Sequence, residues 1–454
     1  MNILKLFKKV NQYKTIQLNP AHVLMLGFMA LIFLGTCLFM IPAATKDRHH
    51  LSFIDALFEA TSAVCVTGLG VVDTGTTFTL FGQIVLLILV QLGGWGFMTS
   101  GILTFILLGK RIGFKQRLLL QQSMNAFSLQ GIIKLVQKVI VITLIVEAIG
   151  AIFLAIRWSQ EMSMGKAIYY GIFHSISAFN NAGFGLEPDN LSKWVGDPTV
   201  NLVITSLFII GGVGFFVVAD IFEKRNIFKF SLHTKIVLTV TLILNVVSTL
   251  IIFALEYNNP ATLGGLGTTE KWWAAYFQGV VTRTAGFNTI DIGQMTPSSL
   301  VLMVGLMFIG AAPGSTGGGI KVTTFALLLL ALWSVLTNKQ DINVFKRRVP
   351  ASQVFRALSI AVSSMIFIFI IFFSLTITER GADVTAIIFE TVSAFGTVGL
   401  STGLTGDLSH MGRILITIMM FIGRVGPLTM AFALAIRSNK VSKIRYAEEK
   451  ILIG

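Results

Sequence analysis

The sequence predicts an all-α polytopic membrane protein, built as four parallel repeats of span, half-helix and span around a central pore. Three observations predict it: the composition, the spacing of long apolar runs, and a glycine pattern that recurs four times. Of 454 residues, 54% are apolar and 12% charged. Ordinary soluble domains carry about 25% charged residues, so this chain cannot clothe a normal water-facing surface. Of its aromatic residues 37 are Phe against 6 Tyr and 6 Trp, a bias towards the ring with no polar handle. Cys37 and Cys65 sit among apolar neighbours and point to no disulfide framework.

A crossing helix needs about 20 mostly apolar residues. Runs of that kind occur at 22–42, 78–108, 136–156, 199–219, 235–255, 299–336, 357–377 and 412–436. Lys5, Lys8, Lys9 and Lys14 precede the first, but Ala21–Pro42 is longer than a signal h-region of about 7–15 residues, so it reads as a span. Eight spans put both termini on one side. With the termini inside, inner segments hold 24 Lys/Arg and 5 acidic residues, and outer segments hold 8 and 15. This positive-inside asymmetry accounts for the net charge of +14 without nucleic acid. The expected setting is the cell membrane, with lipid around the spans and both termini cytoplasmic.

Between spans lie four moderately apolar stretches too short to cross a bilayer, Ser52–Cys65, Lys166–Asn180, Lys271–Arg283 and Ala382–Gly396. They read as re-entrant half-helices. Each ends in a glycine turn: Val66-Thr67-Gly68, Asn181-Ala182-Gly183, Thr284-Ala285-Gly286 and Thr397-Val398-Gly399. The turn glycines are 115, 103 and 113 residues apart, and Phe58, Phe173, Tyr276 and Phe389 each precede theirs by ten. A second set follows 25, 28, 24 and 24 residues later, beginning at Gly93, Gly211, Gly310 and Gly423. Two registers agreeing four times define the repeats. The expected divisions are a cytoplasmic segment at 1–20 and repeats at 21–110, 111–225, 226–340 and 341–454, the last with a short cytoplasmic tail.

Irregular backbone at membrane depth must be buried in protein or line water, because lipid satisfies neither N–H nor C=O. Four such turns converging on one axis make a ring of carbonyls able to replace a cation's hydration shell. Glycine supplies the positive φ that aims them. A half-helix running inward adds the partly negative end of its dipole. Thr397-Val398-Gly399 matches the first half of the potassium-channel filter TVGYG. The other turns degrade that match, and the Tyr-Gly step is absent from Phe287-Asn288 and Leu400-Ser401.

The four span–half-helix–span units, the turns Val-Thr-Gly-Leu, Asn-Ala-Gly-Phe, Thr-Ala-Gly-Phe and Thr-Val-Gly-Leu, and the Gly-rich sixth span resemble the Trk/Ktr/HKT superfamily of potassium transporters. The membrane subunits of bacterial Ktr systems are the most similar group, and the likeness covers nearly the whole chain. It implies potassium uptake stimulated by sodium, and a homodimer with one pore per subunit. It also implies a cytosolic ring of KtrA-like regulatory subunits that binds the nucleotide.

Two features break local rules. Residues 299–336 are too many for one straight crossing, and their interior reads Gly310-Ala311-Ala312-Pro313-Gly314-Ser315-Thr316-Gly317-Gly318-Gly319-Ile320-Lys321. Gly costs about 1 and Pro about 3 kcal/mol inside a helix, so this helix is interrupted. The interruption reads either as a gating loop beneath the turns or as a cytoplasmic linker; the family resemblance implies the gate. Arg424 stands where the first two repeats have Gly94 and Gly212. At bilayer depth an arginine must face water or a partner. It reads as a positive barrier in the pore, or as a charge paired between helices.

Arg283 is expected to brace its turn through carbonyls, with Glu59 and Glu390 either its partners or simply facing outer water. Asp73, Glu187, Asp189, Asp291 and Asp407 could concentrate cations at the mouth or simply line a solvated loop. Glu147 has no evident partner. The six histidines show no metal-ligand spacing, and no Walker spacing precedes Lys321, so neither a resident metal nor a catalytic centre is expected. The rival reading is a coupled secondary transporter of another small cation. Parallel repeats argue against it, since alternating-access folds usually set one site between inverted halves.

Overall fold

The computed structural model describes residues 20–47, 50–96, 132–339, 341–427, 429–430 and 449. Repeat 1 contains α1 (Pro20–Phe39), α2 (Phe53–Cys65) and α3 (Leu80–Trp95). Repeat 2 contains α4 (Ile132–Trp158), α5 (Met164–Phe179), α6 (Pro198–Gly212) and α7 (Phe215–Lys224). Repeat 3 contains α8 (Leu232–Glu256), α9 (Thr268–Val281), α10 (Pro297–Phe308) and α11 (Val322–Leu336). An antiparallel hairpin of β1 (Ile342–Val344) and β2 (Arg347–Val349) leads into α12 (Ala351–Thr378), α13 (Val384–Gly396) and α14 (His410–Val425).

The helix starts follow from local chemistry. Ser52 and Asp383 cap the half-helices α2 and α13. Thr79, Asp197, Thr296 and Ser409 cap α3, α6, α10 and α14, which begin the second spans, with Pro198 and Pro297 in first helical positions. The first and second spans of three repeats are joined at these caps. Glu256, at the end of α8, accepts from the Thr296 backbone N–H at 2.9 Å and its hydroxyl at 2.7 Å. Glu379, just beyond α12, accepts from the same groups of Ser409 at 3.0 and 2.6 Å. Arg157 of α4 pairs with Asp197.

Among the described residues, α1, α4, α8 and α12 are long and apolar enough to cross a membrane unbroken, and the bent pair α6–α7 makes a fifth. Their outer faces carry a belt of exposed apolar side chains such as Phe33, Ile152 and Phe369 (64%, 58% and 65% exposed). In water such a belt would be a penalty, and in lipid it is the solvated surface. These features agree with the expected all-helical, multi-pass membrane architecture.

The sixth span is interrupted as expected, between α10 and α11, and breaks are not confined to it. The second span of every repeat carries a glycine of positive φ: Gly96 (+81°), Gly214 (+91°) and Gly426 (+95°) at or beside a helix end, and Gly314 (+67°) between α10 and α11. At Gly214 the chain bends by 95° between α6 and α7, so 199–219 is not a straight crossing. Positive φ ends a helix, and glycine adopts it without a Cβ penalty. The ends of the spans expected at 78–108 and 412–436, most of the inner basic segments and both termini lie outside the described residues.

Candidate functional site at the convergence of four turns

The half-helices deliver their turns to one place. In each turn the residue two before the glycine has a left-handed backbone: Val66 (+57°), Asn181 (+59°), Thr284 (+68°) and Thr397 (+49°). The glycines are also positive: Gly68 (+93°), Gly183 (+72°), Gly286 (+72°) and Gly399 (+89°). Thr67, Ala182, Ala285 and Val398, between them, keep ordinary φ. Alternating handedness turns successive carbonyls to one side of the chain and the N–H groups to the other. On the N–H side, Thr67, Ala182 and Val398 donate to the carbonyls of Ser62, Ser177 and Ser393 at 2.8, 2.8 and 2.9 Å. Repeat 3 differs, with Ala285 donating to Val281 at 3.2 Å.

The four turns close into a ring in chain order. A Cβ on Gly68 would collide with the Ala182 carbonyl oxygen. One on Gly183 would lie 2.6 Å from Gly286 Cα and 3.0 Å from the Ala285 oxygen. One on Gly286 would lie 2.7 Å from the Val398 oxygen and 3.3 Å from that of Thr67. One on Gly399 would collide with the Thr67 oxygen, which returns to the first turn. Each glycine is therefore required twice, for its φ and for the close approach of its neighbours. The non-glycine turn residues are at most 1% exposed, and Gly68, Gly286 and Gly399 line a cavity of about 330 Å³. Asn190, Asn288, Asp291, Ser401 and Thr405 line that cavity with the turns.

Of the candidate acidic mouth residues, only Asp291 lines the cavity. Asp73 caps the helical turn Thr74–Thr77, and Glu187 accepts from the Tyr170 hydroxyl at 3.0 Å. The expected partners of Arg283 also differ. Arg283 donates to Thr241 O and Oγ1 on α8, each at 3.3 Å, because it projects behind its turn. Glu59 and Glu390 are engaged by backbone of their own repeats instead. Glu147 gains the partner that the sequence withheld: Asn180 Nδ2 bridges Glu147 Oε1 at 3.0 Å and Gln91 Oε1 at 2.9 Å.

Directly beneath the ring runs the segment between α10 and α11. Ala311, Ala312, Thr316 and Ile320 are at most 1% exposed. Its ends pair as a parallel bridge, Gly310 N–H to Ile320 O at 2.8 Å. Its middle touches repeats 2, 3 and 4. Ala312 and Thr316 donate to Gly212 and Gly211 in repeat 2 at 2.9 and 3.3 Å. A Cβ on Gly317 would strike Thr284 Oγ1, and the Gly318 N–H donates to Thr397 Oγ1 at 2.9 Å. Lys321 donates to the Gly317 carbonyl at 2.6 Å. Arg424 completes the contacts, donating to the carbonyls of Thr316 below the ring and of Gly93 and Gly94 at the end of α3. Pro313, Gly314 and Ser315 form the turn of this segment against Gly214. Gly319, with φ +66°, leads the chain back towards α11.

Comparison with known proteins accords with this geometry. The TrkH family profile, described as cation transport protein, matches residues 3–444. This chain belongs to the TrkH family of cation transport proteins. As a member of that family it is a transporter and not an enzyme. It is 47% identical to the Ktr system potassium uptake protein B of Bacillus subtilis (strain 168), over 97% of this chain and 98% of that protein. It is 43% identical to the protein of the same name from Vibrio alginolyticus, over 95% and 94%. The potassium/sodium uptake protein NtpJ of Enterococcus hirae is 36% identical over 96% and 98%. The crystal structure of the potassium transporter TrkH from Vibrio parahaemolyticus shares the fold, with a TM-score of 0.73 at 20% identity over 93% of this chain and 86% of that one.

Proposed function

We propose that this TrkH-family protein takes up potassium across the cell membrane, with the four turns at Val66–Gly68, Asn181–Gly183, Thr284–Gly286 and Thr397–Gly399 as its selectivity filter. The observation that carries this reading is the cyclic approach of the turns, in which the carbonyl before each glycine lies against the glycine of the preceding repeat. A dehydrated cation on that axis is coordinated by main-chain oxygens. The dipole ends of α2, α5, α9 and α13 favour its positive charge.

Residues Gly310–Lys321 act as the gate, since their backbone occupies the exit beneath the ring. Arg424 holds that segment closed and adds a positive barrier on the inner side. Potassium is the transported ion and sodium an activator, readings supported by the names of the Bacillus and Enterococcus relatives. The functional unit is a homodimer with one pore per subunit, controlled by a cytosolic nucleotide-binding ring.

The test is Gly399→Ser. Its side chain would meet the Thr67 carbonyl at a φ of +89°. Uptake by a transport-deficient cell is expected to lose its potassium-over-sodium preference. Unchanged preference at normal expression would overturn the assignment.

A further inference from the structure

The limb that leaves three of the four glycine turns is held by a side chain of its own half-helix, at one recurring spacing within this molecule. Glu59, His174 and Glu390 lie nine residues before Gly68, Gly183 and Gly399. Each accepts the backbone N–H of the residue three beyond its glycine. Val71 donates to Glu59 Oε1 at 2.8 Å, Leu186 to His174 Nε2 at 3.4 Å, and Thr402 to Glu390 Oε1 at 3.1 Å. All three side chains are buried, at 0%, 0% and 1% exposure. Glu59 takes a second donor from Val72 at 3.2 Å. Glu390 takes two hydroxyls, Ser401 at 2.5 Å and Thr405 at 2.7 Å. His174 Nδ1 meets the Tyr170 carbonyl at 2.9 Å, which places its proton there and leaves Nε2 free to accept.

Repeat 3 breaks the pattern. The matching position is Phe277, fully buried and without an acceptor. Thr289, three beyond Gly286, keeps its buried hydroxyl unpartnered. This is also the repeat whose turn is tied to its half-helix through a different carbonyl.

We propose that Glu59, His174 and Glu390 are positioning residues for ion selection, each fixing the direction of its turn's carbonyls by holding the outgoing limb, and that the third limb, with Phe277 at the matching position, is tied instead through its Asn288 carbonyl to the Leu191 N–H of repeat 2. The reasoning is mechanical. The turn is anchored on its inner side by half-helix carbonyls. With the outer side released, the peptide after the glycine can rotate, and the ring no longer enforces one cation radius. The inference rests on the filter reading given above.

The experiment compares Glu59→Asp and Glu390→Asp with Glu59→Gln and Glu390→Gln in full-length protein reconstituted in lipid vesicles. Asp keeps the carboxyl group but withdraws the acceptor by one carbon, whereas Gln keeps an acceptor in reach on an amide. Relative rubidium and sodium uptake, initial rate and thermal unfolding are read for each. Losing a hydrogen bond to a buried group is worth a factor of about ten, so the Asp variants should lower the rubidium-over-sodium ratio by about that factor, and Gln should restore most of it. A merely structural role would shift unfolding temperature in the Asp variants with the ratio unmoved, and that result overturns the proposal. Gly399→Ser, measured alongside, separates the two failures. If it alone shifts the ratio, the holding role is wrong; if neither it nor the Asp variants do, the filter reading is wrong.

Discussion

The Thr316 hydroxyl, in the segment beneath the ring, donates to Asn181 Oδ1 at 2.8 Å, within the second turn itself. Asn181 Nδ2 in turn donates to Thr284 Oγ1 of the third turn at 3.3 Å. A side-chain chain of three residues thus couples the segment to two turns. Thr316→Val keeps the shape and removes the donor, leaving a buried acceptor unpaired at a cost of about 1–3 kcal/mol to the closed arrangement. Initial potassium uptake should rise severalfold in a transport-deficient strain. An unchanged rate at equal expression would show that this bond does not hold the segment shut.

Arg424 bridges two carbonyl groups on different repeats, which needs the planar fork of a guanidinium. Arg424→Ala should accelerate potassium flux by releasing both the tie and the charge. Arg424→Lys should remain faster than wild type, because one ammonium cannot span Thr316 and Gly93 together. Flux measured in vesicles decides it, and a lysine variant at the wild-type rate would mean that charge alone matters.

Removal of residues 312–319 takes away the backbone that lies under the turns. Potassium flux should increase, with the turns left in place. Equal or lower flux at normal expression would return this segment to the role of a linker.

Glu379 lies outside the span helix α12. Burial pushes its carboxyl up, but the Ser409 hydroxyl and backbone N–H outweigh that and hold it below its usual value. A depressed folded-state value adds stability above the unfolded carboxyl range, and the gain is lost as pH falls through the lowered value. In detergent at neutral pH, Glu379→Gln should therefore unfold at a lower temperature than wild type. The gap should close as the medium is acidified below the ordinary glutamate range. A gap that persists unchanged at acid pH would assign the effect to packing.

The parts of this molecule legible in its sequence are those written in local chemistry. The half-helices begin and end within a few residues of the expected bounds, because Ser52 and Asp383 cap them and glycine turns close them. The interruption of α10–α11 was written in its Gly and Pro residues. The left-handed backbone at Val66, Thr284 and Thr397 was not legible, since β-branched residues avoid it and only the surrounding hydrogen bonds impose it. The breaks at Gly96, Gly214 and Gly426 stood in the recurring second glycine set, but hydrophobic length alone masked them. The partners of Arg283, Glu147 and Arg424 come from helices distant in the chain, which no local pattern encodes.

In the filter proposed above, one dehydrated cation sits among the carbonyls of Thr67, Ala182, Ala285 and Val398. Anomalous diffraction from crystals grown in thallium is its most direct test. A peak is expected on the axis inside that ring, lost when sodium replaces thallium. Thallium bound only elsewhere, with the ring empty, would contradict it.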